Sequence, residues 1–216
     1  MSRLLIAHRA GNDLDKLAEA FAFGVDYAEA DVWLYRKRLE VRHDKTAGPL
    51  PFLWERWSLR PGWNKRLVLS EVIRAASGHG KLYLDLKGDK ERLPATLTSE
   101  LKLMGVKDAA FSSPVWWYLD RLAPDFPESQ LFYTLSNLER LVQFRPRLAK
   151  REISAVAINS EIVTKDVIEE LRDAGVEDIT TWGIEDREAA QAVFASGVNG
   201  ITSKNLDLLS ELRGEG

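Results

Sequence analysis

Residues 153–184, ISAVAINSEIVTKDVIEELRDAGVEDITTWGI, hold the reading that decides the fold. Two short apolar runs, 153–159 and 178–184, bracket a stretch of helical spacing at 165–174. Thr164 has the N-cap chemistry to open that helix, and Asp166 brings negative charge to its first turn, where the helix dipole favours it. Gly175 stands just past the end, where a left-handed residue is wanted. The stretch is therefore one strand-helix-strand unit, the building block of a parallel sheet.

The same grammar runs almost from end to end. Candidate strands at 4–8, 27–34, 81–87, 109–112, 130–134, 153–159, 178–184 and 200–203 alternate with helical patterns at 13–23, 93–103, 115–122, 138–148, 165–174, 187–195 and 205–212. Gly24, Gly105 and Gly197 punctuate three further helices. Eight such units predict an α/β fold, a TIM (β/α)8 barrel ringed by helices; a doubly wound open sheet shares the local pattern, and periodicity does not separate the two. Residues 36–80 interrupt the alternation with an extra short strand at 39–43, a Pro- and Trp-rich segment at 48–62 and a helix at 69–76. They read as an insertion after the second strand of a single domain spanning 1–216.

A chain of 216 residues that is 45% hydrophobic can bury one large core. Its 30 basic and 33 acidic residues leave a net charge of -3, without the basic excess that binding a phosphate backbone needs, so nucleic acid is excluded as a partner. With no cysteine, disulfides and thiolate metal sites are excluded as well. No apolar run approaches the roughly 20 residues of a transmembrane segment, and no basic and apolar leader opens the chain, so a cytoplasmic protein is expected.

In YAEADVWL, residues 27–34, Glu29 and Asp31 are two apart and project from one face of a strand. Adjacent carboxylates on an interior face call for a cation, and oxygen ligands favour a hard divalent metal such as Mg2+ or Ca2+. LYLDLKG, residues 82–88, repeats the spacing: Asp85 is a third candidate metal ligand, and Lys87 a contact for an anionic substrate. The bland alternative for this pair is a buried salt bridge without chemistry. His8 ends the first strand, and His43 stands with Asp44 at the end of LEVRHD, residues 39–44. Two imidazoles beside a metal make a general acid and base pair near neutral pH, and Arg9 offers a fork of donors to phosphate.

These residues, in this order, resemble the glycerophosphodiester phosphodiesterase family, which is related to the sphingomyelinase D type phospholipases. AHRAG (7–11) is similar to the family's H-R-G opening, AEADVWL (28–34) to its E-x-D-V strand, LEVRHD to V-x-H-D and LDLK (84–87) to E-x-K. RLVLSEVI (66–73), TTWGIED (180–186) and GVNGITSK (197–204) continue the match. The resemblance implies a metal-dependent TIM-barrel hydrolase that splits a small-molecule glycerophosphodiester, of lipid or other origin, into glycerol 3-phosphate and an alcohol. It implies His8 and His43 as catalytic residues, Arg9 and Lys87 as phosphate contacts, Glu29, Asp31 and Asp85 as metal ligands, and Trp182 as a wall of the pocket. Two neighbouring readings stand beside it: phospholipase D like action on lysophospholipid or sphingomyelin, and a non-catalytic barrel that binds phosphorylated metabolites. The chain departs from the family in lacking a P-E-N-T turn after the opening, and in carrying Asp85 where glutamate is usual.

Lesser candidates for substrate contact are Ser112, Tyr133 and Asn159 at other strand ends, and one of Trp116 and Trp117. Trp54, Trp57 and Trp63 are expected to cover the barrel's side or to form a lid. His79, between two glycines, is expected in a solvated loop.

Overall fold

The computed structural model describes residues 3–46, 52–55, 58–61 and 66–214. Its strands are β1 (Leu4–Ala7), β2 (Tyr27–Tyr35), β3 (Arg38–Val41), β4 (Lys45–Thr46), β5 (Phe52–Glu55), β6 (Ser58–Pro61), β7 (Lys81–Lys87), β8 (Ala110–Ser113), β9 (Leu131–Leu135), β10 (Ala155–Asn159), β11 (Asp178–Trp182) and β12 (Gly200–Ser203). The helices are α1 (Leu14–Ala22), α2 (Leu69–Ala76), α3 (Leu93–Leu103), α4 (Trp116–Leu122), α5 (Leu138–Leu148), α6 (Lys165–Asp173), α7 (Arg187–Ala195) and α8 (Leu206–Gly214). β1, β2 and β7 to β12 pair in parallel in that order, and β12 returns to β1 with Leu4 opposite Gly200 and Ala7 opposite Ser203. The sheet is closed, so the fold is the (β/α)8 barrel and not the open sheet.

Closure needs close approach at its seam. A Cβ on Gly200 would lie 2.7 Å from the Thr180 methyl and 2.9 Å from the Leu4 Cβ, so β11, β12 and β1 meet around a residue without a side chain. The opening stretch folds as its chemistry dictates: the Thr164 hydroxyl accepts from the Val167 N–H at 3.3 Å, and Gly175 takes φ 88° after α6.

Strand alternation divides the apolar residues between two cores. The larger lies between sheet and helices; in α3, Leu93, Leu97 and Leu101 share one face and are fully buried in it. Each such leucine contributes about 1.5–3 kcal/mol. The smaller fills the barrel itself with Ile6, Tyr27, Tyr83, Ala110, Phe132, Ala155 and Ala157. This plug stops short of the end where the strands run into the helices, and polar side chains take over above it.

α2 leads into β7 and packs on α1 and β7, the place of the second barrel helix. The interruption is therefore 36–68, shorter than the 36–80 expected, because 69–76 belongs to the regular alternation. β3 runs antiparallel to the end of β2, with Val32 opposite Val41 and Tyr35 opposite Arg38. Arg36 and Lys37, at φ 44° and 69°, make the hairpin turn between them. β4, β5 and β6 form a separate antiparallel sheet that includes Trp54, whereas Trp57 and Trp63 lie outside the described residues. His79 is exposed in the turn after α2, as expected.

Candidate active site

β2 and β7 are in register with Asp31 opposite Asp85, Glu29 opposite Tyr83 and Trp33 opposite Lys87. Parity sends Glu29, Asp31, Asp85 and Lys87 into the barrel above the apolar plug, and one carboxylate oxygen from each of the three acids falls within 4.8 Å of the others. His8 and Arg9 follow β1 at the same rim, where the His8 N–H donates to the Ser203 carbonyl at 2.8 Å. His43 arrives from β3, tied down by Arg42, whose N–H donates to the Asp31 carbonyl at 3.0 Å. With Trp182 from the end of β11, all eight sequence-predicted residues line one cavity of about 320 Å3. Tyr83 also lines it, above Phe132 at a ring distance of 5.1 Å, and forms the floor between plug and site.

Charge inside this cavity is tightly arranged. The Lys87 ammonium bridges Asp31 Oδ1 at 2.9 Å and Asp85 Oδ2. Burial works against its charge, but Asp85, Asp31 and Glu29 together push its pKa above the usual lysine range. Asp31 follows the same logic in reverse: burial would raise its carboxyl, yet the charge and hydrogen bond of Lys87, with a hydrogen bond from Asn12, hold it below the ordinary value. Glu29 is driven well above its ordinary value, first by burial and then by Asp31 and Asp85, even though its Oε2 accepts the Arg9 backbone N–H at 2.5 Å. His8 is pulled down to about 4 by burial and by Arg9, so its imidazole is neutral at pH 7 in the free protein. It lies 3.8 Å from Glu29 Oε2.

Arg9 has left-handed backbone, φ 57° and ψ 16°, a conformation a non-glycine residue holds only where its surroundings impose it. Glu29 grips its N–H, and its guanidinium reaches across the cavity to the His43 Nε2 and lies 3.9 Å from Asp31. This backbone thus places the guanidinium against His43 and close to Asp31.

The acidic trio fits a hard divalent ion. Asp85 Oδ1 is buried with no hydrogen-bond donor among the described residues, and Glu29 is raised by burial and by the neighbouring Asp31 and Asp85 carboxylates, which a cation among the three would relieve. Asn12, which sequence reasoning passed over, orients the central acid from both sides: its Nδ2 donates to Asp31 Oδ2 at 2.7 Å, and its Oδ1 accepts the Asp31 N–H at 2.9 Å. It sits in the short helical turn Ala10–Asn12, and a polar residue close behind the histidine was the only available signal.

Several lesser expectations are corrected. Ser112 does line the cavity, joined by Thr134, Ser136 and Thr202. Tyr133 does not: Thr134 points inward, so its neighbour points into the helix layer, where its hydroxyl donates to Asp120 at 2.9 Å. Asn159 is spent on the Ser136 carbonyl and on capping the turn Ser160–Ile162. Neither tryptophan reaches the cavity. Trp116 packs on Phe144 and donates to the Thr134 carbonyl, and Trp117 lines an outer groove against α3.

No family model matches the chain, and no curated protein matches it. Solved structures do. A phosphodiesterase of Oleispira antarctica in complex with the product sn-glycerol-3-phosphate superposes with a TM-score of 0.78 at 18% identity, over 97% of this chain and 96% of that one. The fold is that of the glycerophosphodiester phosphodiesterases. One from Parabacteroides distasonis gives 0.74 at 18% identity over 100% and 99% of the two chains. One from Thermotoga maritima gives 0.73 at 19% identity over 99% of each. Among the described residues, no helix is long and apolar enough to cross a membrane.

Proposed function

We propose that the chain is a divalent-metal-dependent phosphodiesterase that hydrolyses glycerophosphodiesters to glycerol 3-phosphate and an alcohol. The observation that carries this reading is the convergence of two buried carboxylates and a half-buried third, two imidazoles, one guanidinium and one ammonium on a single cavity at the barrel rim. Neighbours of the same fold are described as glycerophosphodiester phosphodiesterases, one of them with glycerol 3-phosphate bound, which supports a small phosphorylated substrate.

Glu29, Asp31 and Asp85 would hold Mg2+ or Ca2+. Such an ion supplies polarisation of the phosphoryl oxygens and charge for the developing anion. Arg9 and Lys87 add fixed positive charge at the same oxygens. Attack on phosphorus by a hydroxyl, from water or from the glycerol itself, yields its proton to one imidazole, while the other protonates the alcohol oxygen as its P–O bond breaks; where the glycerol hydroxyl attacks, water then opens the cyclic phosphate to glycerol 3-phosphate with the two imidazoles exchanging roles. The Ser112, Thr134 and Ser136 hydroxyls suit the glycerol unit, with Trp182 as the wall beside it.

The test follows glycerophosphodiester consumption by phosphorus NMR with Mg2+ or Ca2+ and with chelator, a lysophospholipid being run in parallel. Metal-dependent appearance of glycerol 3-phosphate, lost by about 10²–10⁴-fold in folded His43→Ala, is expected. Turnover of the lysolipid alone, or binding of glycerol 3-phosphate without any turnover, would overturn it.

A further inference from the structure

A second cavity, of about 500 Å3, opens beside the first between α1 and α8. The two share His8 and Arg9, so a substrate whose phosphorus is bound in the first can extend into the second without leaving the protein surface. Lys204 reaches it from the end of β12, and Lys16 from the first turn of α1. Among the described residues neither lysine is in an ion pair, unlike Lys87.

The turn that carries Lys204 is firmly built. Glu185 accepts from the Ser203 hydroxyl and the Lys204 N–H, both at 3.3 Å, and its carbonyl accepts from Asn205 Nδ2 at 3.0 Å. Asn205 also caps α8, accepting the Leu208 N–H at 3.1 Å. A fixed backbone therefore presents the Lys204 ammonium to a cavity where Lys16 and Lys204 face two carboxylates, Glu19 and Asp207, while the Arg9 guanidinium is turned to His43 and Asp31 in the first cavity.

We propose that this second cavity is a subsite for an anionic group, a carboxylate or a second phosphate, on the alcohol arm of the diester. The inference rests on the phosphodiesterase reading. The hydroxyl-lined side of the first cavity suits the glycerol unit, which leaves the alcohol arm to pass His8 and Arg9. Two unpaired lysines then meet whatever charge that arm carries, and a cationic arm such as choline meets them unfavourably.

The experiment compares kcat/KM for four diesters of glycerol 3-phosphate, with glycerol, glyceric acid, glycerol phosphate and choline, in the wild-type chain, Lys204→Ala and Lys204→Glu. The glycerate-to-glycerol pair differs by one carboxylate, and the phosphate arm distinguishes the two anionic sources. A glycerate-to-glycerol ratio of about fivefold is expected, near one in Lys204→Ala and below one in Lys204→Glu. A choline diester preferred over the anionic ones, or ratios unmoved by the charge reversal, would overturn the subsite. If no diester is hydrolysed, the phosphodiesterase reading fails, and calorimetric affinities for the same four compounds still decide the subsite by the same ratios.

Discussion

Asn12 holds the central carboxylate of the site in one orientation, with a donor on one side and an acceptor on the other. Groups behind a ligand tune metal affinity nearly as strongly as the ligand itself. Asn12→Ala is expected to weaken Mg2+ or Mn2+ binding by about 10–100-fold in calorimetry while leaving the far-ultraviolet circular dichroism unchanged. The residue scale also shows where sequence reasoning works. Glu29 and Asp31 share a face because strand side chains alternate, and that parity alone sends them inward. The same parity, applied to Thr134, would have turned Tyr133 away from the cavity. Asn12 was illegible for a different reason: its reach to Asp31 is set by a left-handed Arg9 and a short turn, which depend on the tertiary grip of Glu29.

Elements were read more surely than their ends. Spans such as 81–87, 93–103 and 138–148 coincide with β7, α3 and α5, since long apolar periodicity is a local property. The β2–β3 hairpin was less legible because its turn lacks the usual Asn or Gly. Arg36 and Lys37 both occupy positive φ, where a Cβ is unfavourable. Lys37→Gly is expected to stabilise the fold by about 0.5–1 kcal/mol, read as a higher urea midpoint at constant m. A second element contact gives a pH dependence. Asp120 on α4 accepts from Tyr133 and from Arg147 at 2.9 Å. Burial would raise its carboxyl, but these hydrogen bonds, with the charges of Arg147 and Arg151, hold it below the usual range, while burial and Asp120 push Tyr133 up to about 12. A depressed carboxylate pKa stabilises above the unfolded value and loses that contribution as pH falls through the folded one. Asp120→Asn is expected to cost about 1–2 kcal/mol at pH 7, and the difference from wild type to shrink as the pH falls below about 4.

At the scale of the whole molecule, closure is what brings the site together. His8 and Lys87 are 79 positions apart in the chain, yet β1, β2 and β7 are consecutive staves of the barrel. Local patterns did not distinguish this from an open sheet, because the pairing of β12 with β1 is a contact between the chain's two ends and leaves no periodic trace in either. The candidate residues could nonetheless be picked out as a set, since most lie on or just after parallel strands whose ends a barrel gathers on one rim, whereas His43 reaches it from the antiparallel β3. The central claim is that Glu29, Asp31 and Asp85 form one cation site at that rim. Its most direct test is the anomalous signal of Mn2+ in crystals grown with glycerol 3-phosphate. A single strong peak bounded by these three carboxylates, with the phosphate between Arg9 and Lys87, is predicted; a cavity without Mn2+, or Mn2+ bound only elsewhere, would contradict it.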